Sequence, residues 1–303
     1  MDTILFLVNL RYNGLNKFLE RIGNMDQMID IIELIKIFVL SVVQGITEWL
    51  PISSTGHMII LEDLIPLNLS SEFVEVFLVL VQLGSIFAVI LLYFNKLNPF
   101  SPKKTSVERK DTWVLWFKVA FASIPVAIFG FALKDYMDEY FYNPIVVAIA
   151  LIVYGIIFIW IERTGESKHA ATVTDFNSLS FATAFKIGIF QALSIIPGTS
   201  RSGSTIIGGL LVGTSRHIAT EFSFFLSIPA MFGASLVKLL DLGFAFTTVE
   251  WIYLLFGMFI AFIVSVFAIK FLLNYLKRND FTGFGKYRIV LGAIVILYSL
   301  FQF

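Results

Sequence analysis

The sequence predicts an all-α integral membrane protein, and three observations support this fold class. Hydrophobic residues make up 57% of the 303 positions and charged residues only 15%, whereas a soluble domain usually carries about 25% charged residues. The mean hydropathy is +0.84. Several segments also approach the roughly 20 apolar residues that a helix needs to cross a bilayer. These candidate spans are residues 73–94, 113–133, 144–161, 220–240, 251–272 and 287–303.

The composition excludes several other classes of protein. The 22 basic residues balance the 22 acidic residues, so no net charge favours a nucleic-acid partner. The chain contains no cysteine, which excludes disulfides, thiolate catalysis and cysteine metal ligands. The apolar stretch at the start of residues 1–27 is too short to cross a bilayer as a helix. We expect residues 1–27 to form an N-terminal surface segment or an extension that arises from an upstream start codon.

Two polar runs interrupt the apolar sequence between the spans. The first, QGITEWLPISSTGH, begins at Gln44, and the second, centred on PGTSRSGST, has its proline at Pro197. Proline removes a helical donor and clashes with the preceding turn, so each run should break a helix. Such segments are tolerated at membrane depth only when buried in protein or lining a wet cavity. Residues 31–64 and 181–213 are therefore predicted to form two re-entrant helical hairpins.

The chain also repeats itself. Gln44 aligns with Gln191 and Ser53 with Ser200, both at an offset of 147 residues, and Glu75 aligns with Glu221 at an offset of 146. We therefore divide the single membrane domain into a first repeat at 28–165 and a second repeat at 166–303. Each half holds one re-entrant hairpin and three transmembrane helices. Because three is odd, the halves should insert with opposite orientations, as an inverted repeat.

The distribution of loop charge gives the orientation. Residues 95–112 and 274–288 are rich in lysine and arginine, and the second of these predicted loops ends at Arg288. Basic loops favour the cytoplasmic side. The first hairpin then enters from outside and the second from the cytoplasm, so that their tips can meet. We predict a multi-pass protein of the bacterial plasma membrane, with a site that opens to the extracytoplasmic side.

The first polar run has the residues of a nucleophilic site. Gln44 and Glu48 are four residues apart and should share a helix face. Ser54 and His57 would share a face if a helix opens after Pro51, and the first turn of that helix would bind an anion. A serine near a histidine, with a carboxylate to orient the base, is typical of nucleophilic catalysis. Ser54 and His57 both remain candidates for the nucleophile.

The second polar run has the residues of a phosphate clamp. Arg201 supplies a planar fork that matches phosphate oxygens. Its glycines allow close approach of the backbone. Hydroxyl side chains in both runs have an alternative role, which is to bond their own backbone. Arg201 has one alternative at membrane depth, which is to pair with Glu48 or Glu221.

Both runs resemble the motifs of the undecaprenyl-diphosphate phosphatase family, also called bacitracin-resistance proteins. That family has an (E/Q)xxxE motif that runs into a PxSSTGH-type stretch, followed later by PGxSRSGxT. Here they are Gln44 to Glu48, Pro51 to His57 and Pro197 to Thr205. The resemblance extends from about Met28 to the C-terminus. The first motif position is Gln44, so it does not support a mechanism that needs two carboxylates there.

The resemblance implies that undecaprenyl diphosphate is hydrolysed to undecaprenyl phosphate, the carrier of cell-wall precursors. Related polyprenyl diphosphates and the lipid bilayer are the other implied partners, and a homodimer is compatible with it. Ser54 would be the nucleophile and Arg201 the phosphate clamp, while Glu48 and His57 would move protons. Glu48 and Gln44 would offer oxygen ligands to a divalent cation, Mg²⁺ or Ca²⁺, that arrives with the substrate. The implied phosphate-binding residues are Gln44, Ser53, Thr55, Gly56, Ser200, Ser202, Gly203 and Thr205.

Three functions remain in competition at this point. The first is a phosphatase that acts through phosphoserine, and the second is a phosphatase with His57 as its nucleophile. The third is a transporter or flippase of lipid phosphates, because inverted repeats with broken helices are typical of transporters.

Overall fold

The computed structural model describes residues 29–164, 171–243 and 246–301, which are mainly helical. Residues 1–27, predicted to be a surface segment or extension, lie outside the described part. The helices in chain order are α1 Ile31–Thr47, α2 Ser54–Leu64, α3 Ser71–Leu92, α4 Phe94–Leu97, α5 Ser106–Tyr140, α6 Pro144–Thr164, α7 Phe181–Ala192, α8 Arg201–Leu211, α9 Arg216–Leu242, α10 Thr248–Tyr275 and α11 Thr282–Phe301. A 3₁₀ turn at Leu193–Ile195 follows α7.

All six predicted spans are helices long and apolar enough to cross a membrane, namely α3, α5, α6, α9, α10 and α11. Some are longer than their apolar stretches, because polar residues cap them. The α5 helix begins at Ser106 rather than near residue 113, since Thr105 and Glu108 form a capping box. The α11 helix begins at Thr282 rather than at residue 287. The sequence placed Arg288 both in this span and in the preceding basic loop, and the structure places it inside the helix.

The two polar runs form the turns of two helix–turn–helix hairpins, as predicted. The first turn, residues 48–53, joins α1 to α2, and the second turn, residues 196–200, joins the 3₁₀ turn to α8. Both α2 and α8 have 11 residues. At 1.5 Å per residue they are about 16 Å long, about half of a bilayer core of roughly 30 Å. Each hairpin can therefore reach the middle of a membrane without crossing it.

The two halves of the chain exchange their packing partners. The α5 helix of the first half packs along α7 of the second hairpin, and α10 of the second half packs along α1 of the first. Equivalent helices also pair with each other, α3 with α9 and α6 with α11. The halves therefore interleave around the hairpins. Their opposite insertion in a membrane stays a prediction.

Large apolar side chains cover the outside of the bundle as well as its interior. The rings of Phe117, Phe259 and Phe267 are 61%, 59% and 68% exposed, respectively. Monomeric soluble proteins rarely expose large contiguous apolar patches, so this surface is suited to lipid. The buried polar residues are concentrated instead near the two turns, where Gln44, Glu48 and Ser202 are at most 6% exposed.

Candidate active site

The two turns share an unusual backbone conformation. Ser53 has φ 72° and Ser200 has φ 70°, and they are the only non-glycine residues with positive φ in the described part of the chain. Each serine caps the helix that follows it. The Ser53 hydroxyl accepts a hydrogen bond from the Gly56 N–H at 3.4 Å, and Ser200 accepts one from the Gly203 N–H at 3.1 Å. Backbone strain of this kind costs about 1–3 kcal/mol and is concentrated at functional sites.

Glycines let both turns pack closely against α6. A Cβ at Gly56 would lie 2.9 Å from the Leu151 Cδ1 atom. Gly198 has φ 90°, and a Cβ there would lie 2.6 Å from the Val147 carbonyl oxygen. Gly198 therefore requires glycine, because its φ is positive and backbone fills the space, whereas a Cβ at Gly56 would need the Leu151 side chain to move. The α6 helix forms the wall that supports the turns from behind.

Glu48 joins the two turns. Its Oε1 atom lies 2.9 Å from Nη2 of Arg201, across 153 residues of sequence. Its Oε2 atom accepts hydrogen bonds from Gln44 Nε2 at 2.9 Å and from the Ser54 hydroxyl at 3.3 Å. The structure therefore brings together four of the predicted site residues, Gln44, Glu48, Ser54 and Arg201. A buried carboxylate with this set of donors is a candidate base for the serine.

Both terminal nitrogens of the Arg201 guanidinium are hydrogen-bonded within the protein. Nη1 donates to the Ser223 carbonyl at 2.8 Å, while Nη2 is engaged by Glu48. The guanidinium lies 5.7 Å from the centre of the Trp49 ring. Its Nε–H is buried and has no hydrogen-bond partner among the described residues. One donor of the clamp is therefore unused in this conformation.

Ser54 and Gln44 line an open cavity. Thr55, Glu62, Glu75 and Lys238 also line it. Lys238 and Glu75 form an ion pair of 2.6 Å that connects the two halves. Ser54 thus connects the cavity to the buried pair, since its hydroxyl donates to Glu48 and Glu48 binds Arg201.

His57 shares a face of α2 with Ser54, as predicted, but its ring is engaged elsewhere. Its Nδ1 atom lies 2.7 Å from the Ser53 carbonyl oxygen, and its Nε2 atom lies 2.7 Å from the Tyr287 hydroxyl. In the described part of the chain neither ring nitrogen contacts Ser54. The i, i+3 spacing puts the two residues on the same side of α2, but the ring turns toward α11. There it lines an apolar groove with Thr47 and Phe284.

The predicted hydroxyl contacts on α8 are engaged within the protein. Ser202 donates to the Glu48 carbonyl at 3.3 Å, and Thr205 bonds the Ser223 hydroxyl at 2.5 Å. Ser200 caps α8, and Gly203 donates its N–H to that cap. Among the described residues, none of these four lines the cavity. Their hydrogen bonds hold the second turn in place.

The residues predicted to bind a divalent cation do not form a dedicated site. Both oxygens of Glu48 already accept hydrogen bonds from the protein, and Gln44 is engaged with one of them. No group of three potential acidic, histidine or cysteine ligands occurs within the described ranges. Mg²⁺ and Ca²⁺ need about six oxygen ligands or more. These residues therefore do not fit a cation held by protein groups alone.

Sequence reasoning missed four residues around the site: Trp49, Ser223, Tyr287 and Arg288. Ser223 carried a signal, because it lies two residues after the repeated Glu221. Arg288 carried a stronger one, since it falls within the last predicted span and an intramembrane charge is a functional candidate by default.

Fold and site together define a multi-pass membrane protein with a polar site where two broken helices meet. The family model described as "Bacitracin resistance protein BacA" matches residues 37–294, so the chain belongs to that family. Proteins named "Undecaprenyl-diphosphatase" are similar over most of its length. The one from Acetivibrio thermocellus is 57% identical over 269 residues, covering 89% of this chain and 98% of that protein. The one from Enterococcus faecalis is 55% identical over 270 residues, covering 88% and 98%.

A third relative comes from Clostridioides difficile and is named "Undecaprenyl-diphosphatase 1". It is 52% identical over 268 residues, which is 88% of this chain and 97% of that protein.

Proposed function

We propose that this protein hydrolyses undecaprenyl diphosphate to undecaprenyl phosphate and inorganic phosphate, which recycles the lipid carrier of cell-wall synthesis. One observation carries the proposal. The Ser54 hydroxyl, the Glu48 carboxylate and the Arg201 guanidinium form one hydrogen-bonded cluster that borders an open cavity. The names of the relatives supply the substrate.

In the first step, Glu48 accepts the Ser54 proton while the serine oxygen attacks the terminal phosphorus. The new Oγ–P bond forms as the bridging P–O bond breaks, and undecaprenyl phosphate leaves with the bonding electrons. In the second step, water attacks the phosphoserine and the Oγ–P bond breaks, while Glu48 returns its proton to the Ser54 oxygen. Glu48 takes a proton from the attacking water in exchange and releases it to solvent, which regenerates the carboxylate. The sum is one diphosphate and one water converted to two monophosphates.

The guanidinium of Arg201 has to change partners during this reaction. In the resting state it pairs with Glu48 at 2.9 Å. When Glu48 takes the serine proton, it loses the negative charge that holds this ion pair. Arg201 can then turn its fork to the charge that develops on the transferred phosphoryl group. Its unpartnered Nε–H offers a further donor.

The N-termini of α2 and α8 supply fixed donors for the phosphates. The first N–H groups of a helix have no partner within it, and the helix dipole favours an anion there. The two helices begin at Ser54 and Arg201, and the Arg201–Glu48 contact holds these ends together. A diphosphate bound between them receives backbone donors from both halves of the chain.

The geometry favours Ser54 over His57 as the nucleophile. A carbonyl oxygen only accepts, so Nδ1 of the ring must carry the proton given to Ser53, and Nε2 accepts from Tyr287 when the ring is neutral. Both nitrogens are therefore engaged. We assign His57 the role of holding the strained Ser53 backbone. Identification of phosphoserine or phosphohistidine in trapped enzyme distinguishes the two.

We place the site on the extracytoplasmic side of the bacterial plasma membrane. The Lys103 loop is basic and favours the cytoplasm, and the cavity includes Tyr142 in the connection at the far end of α5. Single cysteines at Lys103 and Glu139 can be labelled in this cysteine-free chain with an impermeant reagent. Labelling of Glu139 alone from outside intact cells is expected, and labelling of both from outside contradicts the placement.

Two predicted partners remain part of this proposal. A divalent cation would arrive bound to the diphosphate, since the protein groups do not form a site of their own. A homodimer is not required by the site, because one chain supplies Ser54, Glu48 and Arg201.

The decisive experiment separates the enzyme from a flippase, which the broken helices in both halves also favour. Purified protein in detergent micelles is given undecaprenyl diphosphate, and released phosphate is measured. Micelles have no two sides, so transport cannot produce a signal. Phosphate release by wild-type protein that is lost in Ser54→Ala supports the proposal. A folded wild-type protein that releases no phosphate contradicts it.

A further inference from the structure

Arg288 is a fully buried charge that the proposed mechanism does not use. Its side chain lies in α11 and is 0% exposed. No carboxylate lies within 4.0 Å of its guanidinium in the described part of the chain. Burial of a charge without a counter-ion is costly unless hydrogen bonds compensate it. The position of those hydrogen bonds therefore shows what the arginine does.

The guanidinium donates to backbone carbonyls from both turns. Nη1 lies 3.2 Å from the Pro51 oxygen in the first turn. Nη2 lies 2.9 Å and 3.0 Å from the oxygens of Gly198 and Thr199 in the second turn. Nε lies 3.4 Å from the oxygen of Leu151 in α6. One planar group thus connects the two turns to each other and to the wall behind them.

These carbonyls lie directly before the residues that the reaction uses. Pro51 is three residues before Ser54, and Thr199 is two residues before Arg201. Between them are the two strained serines that begin α2 and α8. A Cβ at Gly203 would lie 3.2 Å from the Nη1 atom, so glycine at this position leaves room for the guanidinium beside α8.

Arg216 provides a comparison within the same fold. It also connects two helices, α9 and α6, but it pairs with the carboxylate of Glu162 through Nε and Nη2. Arg216 is therefore an ordinary helix-to-helix ion pair, whereas Arg288 binds only backbone oxygens, and three of its four acceptors belong to the turns.

We propose that Arg288 is a positioning residue that sets the distance between the two turns, and thereby places the Ser54 hydroxyl relative to the Arg201 guanidinium. The proposal rests on the proposed phosphatase function for its effect on rate. A rigid, planar fork can hold acceptors from two segments at once, while the single ammonium of a lysine cannot reproduce that geometry. A shift of about 1 Å between reacting groups is enough to slow a reaction about 100-fold.

Hydrogen exchange tests the positioning without any substrate. Arg288→Lys and Arg288→Ala are compared with Arg216→Ala in the same detergent, below the melting temperature of all variants. We expect peptides covering residues 48–57 and 196–205 to exchange about tenfold faster or more in both Arg288 variants. Arg216→Ala should leave both peptides protected. Unchanged exchange in either turn of the Arg288 variants overturns the proposal, and the lysine variant decides if the alanine variant does not fold.

Kinetics tests the consequence for the reaction. We expect kcat to fall about 100-fold in Arg288→Ala and more than tenfold in Arg288→Lys, with KM changed less than about threefold. Wild-type kcat in Arg288→Lys overturns the assignment. If wild-type protein releases no phosphate, the proposed function fails, and the exchange of the two turns still decides the role of Arg288.

Discussion

The first and second turns share a backbone but differ in chemistry. Both contain a positive-φ serine that caps an 11-residue helix. At the repeat offset of 147, however, Ser54 corresponds to Arg201 and Glu48 corresponds to Ile195. The first turn supplies the hydroxyl and the carboxylate, and the second supplies the guanidinium. Neither half contains a complete site, so the proposed activity depends on contact between the halves.

The comparison of the two turns also explains why two equivalent glutamines differ in their hydrogen bonds. Gln44 donates to Glu48 at 2.9 Å. Its counterpart Gln191 is fully buried, and neither its Nε2 nor its Oε1 atom has a hydrogen-bond partner within the described residues. The carboxylate that would accept from it is replaced by Ile195. The second half thus contains the glutamine amide but not the carboxylate to which the equivalent amide donates in the first half.

The largest effect is expected at the residue that makes the first turn reactive. Ser54→Ala should lower turnover about 1000-fold or more, because removal of a nucleophile leaves only binding and electrostatic effects. Substrate binding should persist, since both helix N-termini and Arg201 remain. Phosphate release and phosphoserine trapping measure this. Ser204→Ala in α8 is the matched control, because its buried hydroxyl has no partner among the described residues. A fully active Ser54→Ala protein would move the nucleophile to His57 or to water.

The next effect is expected at the equivalent position of the second turn. Arg201→Ala should lower turnover about 100-fold or more, and Arg201→Lys should recover little of it, because lysine lacks the planar fork. The alanine variant should also melt at a lower temperature, since Glu48 is then buried without its cation. Adding Glu48→Gln should restore much of the melting temperature but no activity. Near-normal turnover in Arg201→Ala would show that Arg201 does not bind the phosphate during the reaction.

Sequence patterns predicted the helices and the cluster more reliably than they predicted individual partners. Hydropathy located all six spans, and prolines located both turns, because these features depend on local chemistry. The cost of leaving an intramembrane charge unpaired gave Glu48 and Glu221 as alternative partners of Arg201, and the structure selects Glu48. The shared face of Ser54 and His57 was predicted but the direction of the imidazole ring was not, since helical spacing gives a face but not the neighbour that competes for it, here Tyr287. Arg288 fell in both the last predicted span and the predicted basic loop, and its role was missed because only the packing of α11 shows its burial and its partners.

A smaller effect, equal in the two turns, is expected from the caps. Ser53→Ala and Ser200→Ala should each destabilise the protein by about 1 kcal/mol from the lost cap, because the strain of positive φ is already present with serine. The matched glycine variants should cost only a few tenths of a kcal/mol, because glycine adopts positive φ without strain. Melting curves in detergent compare the four variants. Clearly unequal losses for Ser53→Ala and Ser200→Ala would show that the turns are not equivalent backbones.

The smallest effect is expected from replacing Gln191, whose amide has no hydrogen-bond partner among the described residues. The same replacement at Gln44 should affect turnover instead of stability. Gln191→Met keeps a similar length but removes two buried polar atoms, so we expect a gain in stability of about 1 kcal/mol with unchanged turnover. Gln44→Met removes a donor from Glu48 and should slow turnover instead. Melting temperature and phosphate release, measured on both variants, provide the comparison. If Gln191→Met loses activity as Gln44→Met does, then the second glutamine serves the site through a contact absent from this conformation, and the two halves share more chemistry than their side chains indicate.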